Sequence, residues 1–368
     1  MVPRRNILHV ITTLEPEGAQ ILLLGTCKHL DQGKYCSRIA FLCRRATALE
    51  DQPPQRTEVL DLSRSGNFDP TAVLRLARWI RKLRIDIVHT HLVHAGILGR
   101  VAARMAGVKQ IVTTRHYGYE GKQRTFLYRM EDRAIASSTV VIAVSEAVRR
   151  DLIARGLVPP EKIEVIPNGI DPEEFDPERY GARIATDGPI IGSLGRLQSQ
   201  KGFDLLLRGF SLVAQRLPGV QLEIVGTGTL YDDLRRLAVE LKVADRVRFS
   251  GALPHRSIPG KLASWDLYVQ PSRWEGAGIA VLEAMAMRKP VIASRVEGIL
   301  ETVEDDVTGL LVAPNDPEAL AGAILRLAND RSRCAAMGRA GQERVIRHFS
   351  IREAAQKLER VYDRLIVT

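Results

Sequence analysis

Short apolar runs alternate with amphipathic segments along most of the chain. Runs rich in β-branched residues are predicted to be strands at 6–13, 37–43, 85–91, 109–116, 139–145 and 162–169. Between most of them lie segments with apolar residues at helical spacing, of which 70–84 is the clearest. Strands that alternate with helices predict parallel βαβ units, in which ligands bind at the carboxyl ends of the strands.

A polar segment rich in proline, glycine and aspartate interrupts this alternation at 167–189. The alternation then resumes, with predicted strands at 189–196, 220–226, 246–251, 266–272 and 289–294. A chain of 368 residues is long enough for two ordinary cores. We therefore predict two doubly wound α/β domains, over 1–169 and 189–349, joined by a linker at 170–188.

The last segment, 350–368, has the pattern of a terminal amphipathic helix. Ser350 and a glutamate three residues later form a capping signal at its start. An apolar stripe then follows at helical spacing, made of Ala354, Leu358, Val361 and Leu365. Such a stripe needs a partner surface, so the helix is expected to pack on one of the domains.

The segment RWEGAGIAVLEAMAMRKPV, 273–291, combines a glycine turn, a helix and two carboxylates. The backbone N–H groups of 276–279 would point out of the helix N-terminus, which attracts an anion or an acceptor-rich ligand. Glu275 lies on the turn, and Glu283 lies about two helical turns further on. Carboxylates at that separation suit two different hydroxyl groups of one extended ligand.

A second cluster of polar residues follows the strand at 189–196. The sequence IIGSLGRLQSQKGFDLLL places Arg196 and Lys201 on a loop that ends at Gly202, just before a predicted helix. Cations at the carboxyl end of a strand favour a diphosphate ligand, because arginine binds bidentately and lysine adds a point charge. Alternatively, both are solvated loop charges. The loop is not a Walker A motif, because no G-K-[ST] is present.

These motifs, taken in their order along the chain, resemble those of the retaining family 4 glycosyltransferases with the GT-B fold. The resemblance rests on E-x7-E in EGAGIAVLEAMA, followed by PVIAS and GLLVAPNDPEAL, and on VIPNGID, GRLQSQKG and IVGTG upstream. It covers the chain from about residue 7 to the end. It implies two Rossmann-like domains that face each other across a cleft, with the C-terminal helix crossing back to the first.

The resemblance also implies roles for individual residues. Glu283 would hold the ribose hydroxyls of a nucleoside-diphosphate sugar, and Arg196 with Lys201 would neutralise its diphosphate. The sugar would be held by Glu275 and by the backbone of Gly276, Ala277, Gly278 and Ile279. The segment that ends at Leu253 would hold the base, mostly through its backbone.

In the first domain, the resemblance implies that Gly18 approaches the diphosphate and that His116 lies near the transferred sugar. Several positions depart from the family pattern: Glu17 replaces the first of two glycines, Ala277 an aromatic residue, and Arg288 and Glu297 glycines. Glu17 matters most, because a carboxylate near a diphosphate repels it unless it turns away. His91 and the other histidines near strand ends keep no assigned role.

The proposed chemistry needs no metal or other cofactor. Departure of a nucleoside diphosphate requires positive charge or N–H donors, and Arg196, Lys201 and the helix-end amides can supply them. No Asp-x-Asp metal motif occurs in the sequence. Retention through same-face attack is implied by the family. A nucleotide-sugar 2-epimerase and a non-catalytic nucleotide-sugar-binding protein remain as alternatives.

Charge adds a prediction about the acceptor. Of the formal net charge of +10, residues 1–150 contribute 24 − 13 = +11 and residues 151–368 contribute 29 − 30 = −1. Helix 70–84 carries five cations beside an apolar stripe that includes Trp79, and residues 115–133 carry five more among aromatic residues. A glycan or lipid-linked acceptor, at an anionic membrane face, is the hypothesis; the alternative is that the stripes pack on the sheet. No nucleic-acid-binding module is visible.

The location is predicted to be cytoplasmic, with peripheral contact at the inner face of the membrane. No run of eighteen apolar residues is present, and the N-terminal apolar stretch is too short to span a bilayer. The four cysteines show no CxxC spacing, and structural thiols in a reducing compartment are the expected interpretation.

Overall fold

The computed structural model describes residues 4–14, 18–43, 57–63, 71–116, 126–181 and 188–367. The chain forms two compact units. Unit 1 comprises 1–169 together with 351–368, and unit 2 comprises 170–350. Residues 170–181, part of the segment whose composition suggested a linker, belong to unit 2, where Ile170 and Phe175 are buried in the core.

Unit 1 contains a seven-stranded parallel sheet. Its strands are Arg5–Ile11 (β1), Tyr35–Phe41 (β2), Glu58–Asp61 (β3), Ile87–His91 (β4), Gln110–Arg115 (β5), Val140–Ala143 (β6) and Ile163–Val165 (β7). The strand order is β3-β2-β1-β4-β5-β6-β7. The order reverses between β1 and β4, so their carboxyl ends define the switch point at which doubly wound sheets bind ligands.

Helices cover both faces of this sheet. They are Gly18–His29 (α1), Ala72–Lys82 (α2), Val93–Ala106 (α3), Phe126–Ile135 (α4) and Glu146–Ala154 (α5). The helix predicted over 70–84 ends at Lys82, because Arg84 adopts a left-handed backbone with φ of 49°. Its apolar stripe packs on the sheet, where Leu76 and Ile80 are buried.

Unit 2 repeats the architecture with a six-stranded parallel sheet. Its strands are Ile190–Leu194 (β8), Gln221–Val225 (β9), Val247–Phe249 (β10), Leu267–Gln270 (β11), Val291–Ser294 (β12) and Gly309–Val312 (β13), in the order β10-β9-β8-β11-β12-β13. Its helices are Phe203–Arg216 (α6), Tyr231–Glu240 (α7), Ile258–Ala263 (α8), Ile279–Ala286 (α9), Glu297–Leu300 (α10), Pro317–Ala328 (α11) and Arg331–His348 (α12). The switch point lies between β8 and β11.

The C-terminal helix, Ile351–Val367 (α13), packs on unit 1, as the resemblance implied. The predicted stripe is buried among residues of the first sheet, and Tyr362 is buried with it. Two parallel sheets flanked by helices confirm the predicted fold class. Within the described residues, no helix is long and apolar enough to cross a membrane.

Candidate donor site

The loops after β8 and β11 meet at the switch point of unit 2. The first loop contains a 3₁₀ turn over Ser199–Lys201 and ends at Gly202, whose φ is 65°. A Cβ at Gly202 would lie 2.1 Å from the carbonyl oxygen of Pro271, so only glycine allows the two loops to approach this closely. The amide of Arg273 donates to the carbonyl of Gln200 at 2.8 Å, which fixes the contact.

This contact places Lys201 against Glu275. The Lys201 ammonium donates to Oε1 of Glu275, and only 17% and 7% of the two side chains are exposed. Ser272 Oγ donates to the same carboxylate oxygen at 2.8 Å. The structure therefore brings together two of the four residues that the sequence assigned to catalysis.

Behind Ser272, a directional series of hydrogen bonds runs into the sheet. The Gln270 amide donates to Ser272 Oγ at 2.7 Å, and the Tyr268 hydroxyl donates to the Gln270 carbonyl oxygen at 2.5 Å. Both Tyr268 and Gln270 are buried. Because Ser272 Oγ accepts from the Gln270 amide, its own proton is directed to Glu275, whose Oε1 is therefore occupied. Sequence analysis missed this support, although both residues lie in a predicted strand.

Glu275 precedes α9 by four residues, and the predicted helix start is correct. Gly278 caps the helix in a left-handed conformation with φ of 59°. The turn is packed closely, because a Cβ at Gly298 would lie 2.5 Å from the carbonyl oxygen of Glu275 and 2.7 Å from the backbone of Gly276. The N-terminal end of α9 and its partial positive charge thus lie directly after the carboxylate.

Glu283 lies inside α9 and is 4% exposed, so it is not an ordinary surface residue. His255, which begins a 3₁₀ turn over His255–Ser257, lies between two carboxylates. Its Nε2 is 3.2 Å from Glu283 Oε1, and its Nδ1 is 3.2 Å from Glu174 Oε1. Burial opposes the charged imidazole, but the hydrogen bonds that its N–H groups donate to Glu174 and Glu283, with the charges of the two carboxylates, outweigh burial and raise the pKa of His255 to about 10. At neutral pH this histidine is a cation that lies between the two carboxylates.

Sequence analysis missed His255 and Glu174. His255 lies only two residues after the segment 248–253, which was assigned to the base. This proximity was the signal in the sequence that could have identified it. Glu174 lies in the segment interpreted as a linker. Leu253 is partly buried against the core of unit 2. Arg196 is exposed on the loop after β8.

Arg288, at a position where the family has glycine, has a left-handed backbone with φ of 54°. This conformation explains the family preference, since glycine adopts it without strain. The arginine side chain is held by Gln342 at 2.7 Å and by an ion pair with Glu178. This departure from the family pattern therefore lies after the C-terminal end of α9, at the opposite end of the helix from Glu275.

In unit 1, His116 directly follows β5, at the carboxyl edge of the sheet. Burial and the neighbouring Arg115 lower the pKa of His116 to about 4, so its ring is neutral. Gly18 is the first residue of α1. Glu17, which the sequence marked as a departure, lies outside the described residues.

His9, His89 and His91 gather beside His116. Their ligating nitrogens lie within 4.8 Å of one another, as in a metal site. However, His89 uses Nδ1 with Tyr362 at 2.6 Å and Nε2 with Thr114 at 2.7 Å. These bonds favour a hydrogen-bonded cluster over a metal site.

The comparisons with known proteins agree with the geometry. The model of Glycosyltransferase Family 4 matches residues 16–174, and that of Glycosyl transferases group 1 matches residues 174–344. A GDP-mannose-dependent alpha-(1-6)-phosphatidylinositol monomannoside mannosyltransferase of Mycolicibacterium smegmatis is 32% identical over 306 residues, 79% of each chain. A UDP-Gal:alpha-D-GlcNAc-diphosphoundecaprenol alpha-1,3-galactosyltransferase of Escherichia coli is 29% identical over 81% of this chain and 80% of its own.

Solved structures have the same fold. HepE of Anabaena, in complex with UDP and glucose, superposes with a TM-score of 0.84 at 21% identity, over 98% of this chain and 100% of HepE. Sucrose-phosphate synthase of Thermosynechococcus elongatus gives a TM-score of 0.87 at 24% identity, over 99% and 100%. The fold and the sequence matches together define a glycosyltransferase with the GT-B fold. The chain belongs to glycosyltransferase family 4, which confirms the resemblance.

Proposed function

We propose that this glycosyltransferase moves a hexose, with retention and without a metal, from a UDP- or GDP-sugar to a hydroxyl of a glycan or lipid-linked acceptor. The observation that carries the proposal is the Lys201–Glu275 pair at the switch point, directly before the N-terminus of α9. Relatives named for GDP-mannose and UDP-galactose support a hexose donor but do not select one base.

Some residues of unit 2 supply positive charge, and others orient the donor. Lys201, with Arg196 from the same loop, supplies the positive charge that a departing diphosphate requires. Preorganised groups of this kind contribute roughly 10²–10³ in rate each. Glu275 accepts hydrogen bonds from the sugar hydroxyls, and the amides of 276–279 donate to them. These bonds fix the position of the reacting carbon. Glu283, held in place by His255, accepts hydrogen bonds from the ribose.

Retention follows if the acceptor attacks from the face that the diphosphate leaves. No step then needs a carboxylate nucleophile, and the leaving phosphate oxygen accepts the proton of the acceptor hydroxyl. The Lys201–Glu275 pair leaves Glu275 as a hydrogen-bond acceptor with a fixed orientation, which suits sugar positioning. His116 is neutral at pH 7, and because its Nε2 faces His91, its Nδ1 is the nitrogen that contributes near the sugar.

A face of unit 1 supports a membrane-associated acceptor. The exposed residues of α2, α3 and α4 are Leu74, Arg78, Arg81, Lys82, His94, Val101, Arg104, Met105, Phe126, Arg129, Met130 and Arg133. We call these residues the basic–apolar face. Among the described residues of these helices, no carboxylate is exposed. Cations around exposed apolar side chains match an anionic bilayer surface, where each cation contributes about 1 kcal/mol.

The exposed apolar residues of this face differ in part from those that the sequence suggested. Trp79 is partly buried against the core, so the predicted stripe packs on the sheet. Four of the aromatic and basic residues assigned to the same surface, Tyr117, Tyr119, Lys122 and Arg124, lie outside the described residues. Phe126, one of the aromatic residues of 115–133, is exposed by 74%, and Leu74 adds a second large apolar side chain exposed by 50%.

Flotation with liposomes tests the membrane contact. The protein should float with vesicles that contain anionic lipid and should dissociate as salt is raised. Arg78→Glu combined with Arg129→Glu should abolish flotation, whereas Arg216→Glu, an exposed arginine of α6, should not. Equal flotation of both variants would exclude this face.

A panel of UDP- and GDP-hexoses, incubated with the protein in EDTA, tests the reaction. Slow release of nucleoside diphosphate from one donor is expected, with binding of that donor in a thermal-shift assay. Epimerised free sugar with no transfer would indicate the epimerase. Binding without release, even with acceptor lipids present, would indicate a binding protein. Loss of activity in EDTA, restored by a divalent cation, would contradict metal independence.

A further inference from the structure

Three imidazoles form a continuous series that leads from His116 into the first sheet. His116 Nε2 is 3.4 Å from His91 Nδ1, and His91 Nε2 is 3.3 Å from His9 Nδ1. The parallel register explains this gathering, because it pairs His9 with His89 across β1 and β4. Since alternate residues of a strand point to the same face, His91 joins them at the end of β4.

The ring of His91 is held in place by its neighbours. It stacks on His89 with ring centroids 4.3 Å apart and planes 29° apart. His89 is itself fixed at both nitrogens, by Tyr362 of α13 and by Thr114 of β5. Rotation of His91 away from His116 would therefore break the stack inside a buried cluster.

In a series of hydrogen-bonded neutral imidazoles, the tautomer of each ring depends on the tautomers of its neighbours. Burial lowers the pKa of His9 to about 3 and lowers that of His91 well below its usual value. A neutral imidazole has one N–H and one lone pair. If His91 donates from Nδ1, it must accept at Nε2 from His9, and His116 must carry its proton on Nδ1. In the opposite arrangement, every proton moves to the other nitrogen.

One cavity runs along the whole series. It has a volume of about 60 Å³, and His9, His91 and His116 all line it. His9 Nε2 is buried and has no hydrogen-bond partner in the described chain. The cavity volume exceeds the roughly 10–15 Å³ that one water needs. A water beside this nitrogen would satisfy His9 and complete the series.

We propose that His91 is a positioning residue, which, with His9 behind it, fixes the tautomer and ring orientation of His116. His91 and His9, rather than the substrate, then determine whether the His116 nitrogen at the carboxyl end of β5 carries a proton. The effect on catalysis rests on the proposed function of His116 near the sugar, whereas the tautomer does not.

Nitrogen NMR of protein labelled with ¹⁵N-histidine tests the tautomer without any substrate. In the wild type, His116 should show the two distinct ¹⁵N shifts of one tautomer. His91→Phe should move them toward the average of both tautomers. His91→Asn, whose amide replaces Nδ1, should preserve them, and His91→Gln, whose amide reaches only the place of Nε2, should not. If His91→Phe fails to fold, the comparison of the Asn and Gln variants decides.

Unchanged His116 shifts in both His91→Phe and His91→Gln would overturn the proposal. A shift of the His89 and His91 resonances on adding stoichiometric Zn²⁺ to EDTA-treated protein would overturn it too, because the cluster would then be a metal site. No Zn²⁺-dependent shift is expected. These readouts hold whether or not a donor sugar is turned over, so their failure is distinct from failure of the proposed function.

Kinetics then separate positioning from general stabilisation. His91→Phe should lower kcat by roughly 10-fold or more, the lower end of the effect of removing the outer partner of a metal-bound histidine, with KM for the donor little changed. In a His116→Ala background, the same substitution should cause no further loss, because it acts through His116. A full additional loss in that background would show a merely structural role.

Discussion

Replacement of Lys201 by methionine is the sharpest perturbation of the donor site. The methionine keeps most of the alkyl volume but leaves Glu275, 7% exposed, with Ser272 as its remaining donor among the described contacts. A buried hydrogen-bonding group that loses its partner costs about 1–3 kcal/mol, and more when it is charged and fully enclosed. The pair lies at the edge of a site, so we expect about 2 kcal/mol, within that range.

The assay is thermal unfolding followed by a double-mutant cycle. For domains of this size, 1 kcal/mol corresponds to about 2–4 °C, so Lys201→Met should lower the melting temperature of the affected transition by about 4–8 °C. Glu275→Gln removes the negative charge, and the double variant should therefore recover about half of the loss. Nucleoside-diphosphate release should fall roughly 10²–10³-fold in Lys201→Met.

Additivity would refute this reasoning. If the change in unfolding free energy of the double variant equals the sum of the two single changes to within about 0.3–0.5 kcal/mol, the residues do not interact energetically. Unchanged release from Lys201→Met would remove the lysine from the reaction, even if the stability effect is present. Lys242→Met, on the surface of the same unit, is the control for the general effect of removing one cation.

Three further predictions concern other parts of the two units. His255 has a folded-state pKa of about 10, above its unfolded value of 6.5, so its contribution to stability is complete below pH 6.5 and is lost as pH rises toward 10. The melting-temperature difference between wild type and His255→Asn should therefore shrink over that range. A constant difference would contradict the assignment. Arg100→Met leaves Glu131, 2% exposed, without its ion pair and should cost about 3–5 kcal/mol in chemical denaturation, against about 0–1 kcal/mol for Arg364→Met in an exposed pair. Gly298→Ala places a methyl against the backbone of Glu275 and should lower turnover, whereas Gly322→Ala, with no atom near its Cβ, should not; equal turnover in both variants would show that the turn tolerates movement.

Much of the fold could be predicted because buried parallel strands are continuous apolar runs. The predicted strands at 85–91 and 266–272 correspond to β4 and β11, which lie inside their sheets. The two strands that were not predicted, β3 and β13, have four residues each and lie at sheet edges. Their length and edge position do not explain the omission, because β7 and β10, with three residues each, also lie at sheet edges and were predicted.

The candidate site was predictable only where its residues are close in sequence. Glu275, the 276–279 turn and Glu283 belong to one segment, so their spacing alone indicated the arrangement. The pairing of Lys201 with Glu275 depends on two loops that meet through Gly202 and Pro271, 69 positions apart. His255 and Glu174 are likewise joined to Glu283 only by the tertiary fold.

The most direct test of the donor-site assignment is the release of nucleoside diphosphate from the preferred sugar donor, measured in EDTA for wild type, Glu275→Gln and Glu240→Gln. Glu240 is exposed on α7 and serves as the matched control. The account predicts that wild type and Glu240→Gln turn over equally, while Glu275→Gln loses at least two orders of magnitude, the size expected for one preorganised group. Equal release by all three proteins would contradict the central claim that Glu275 positions the transferred sugar.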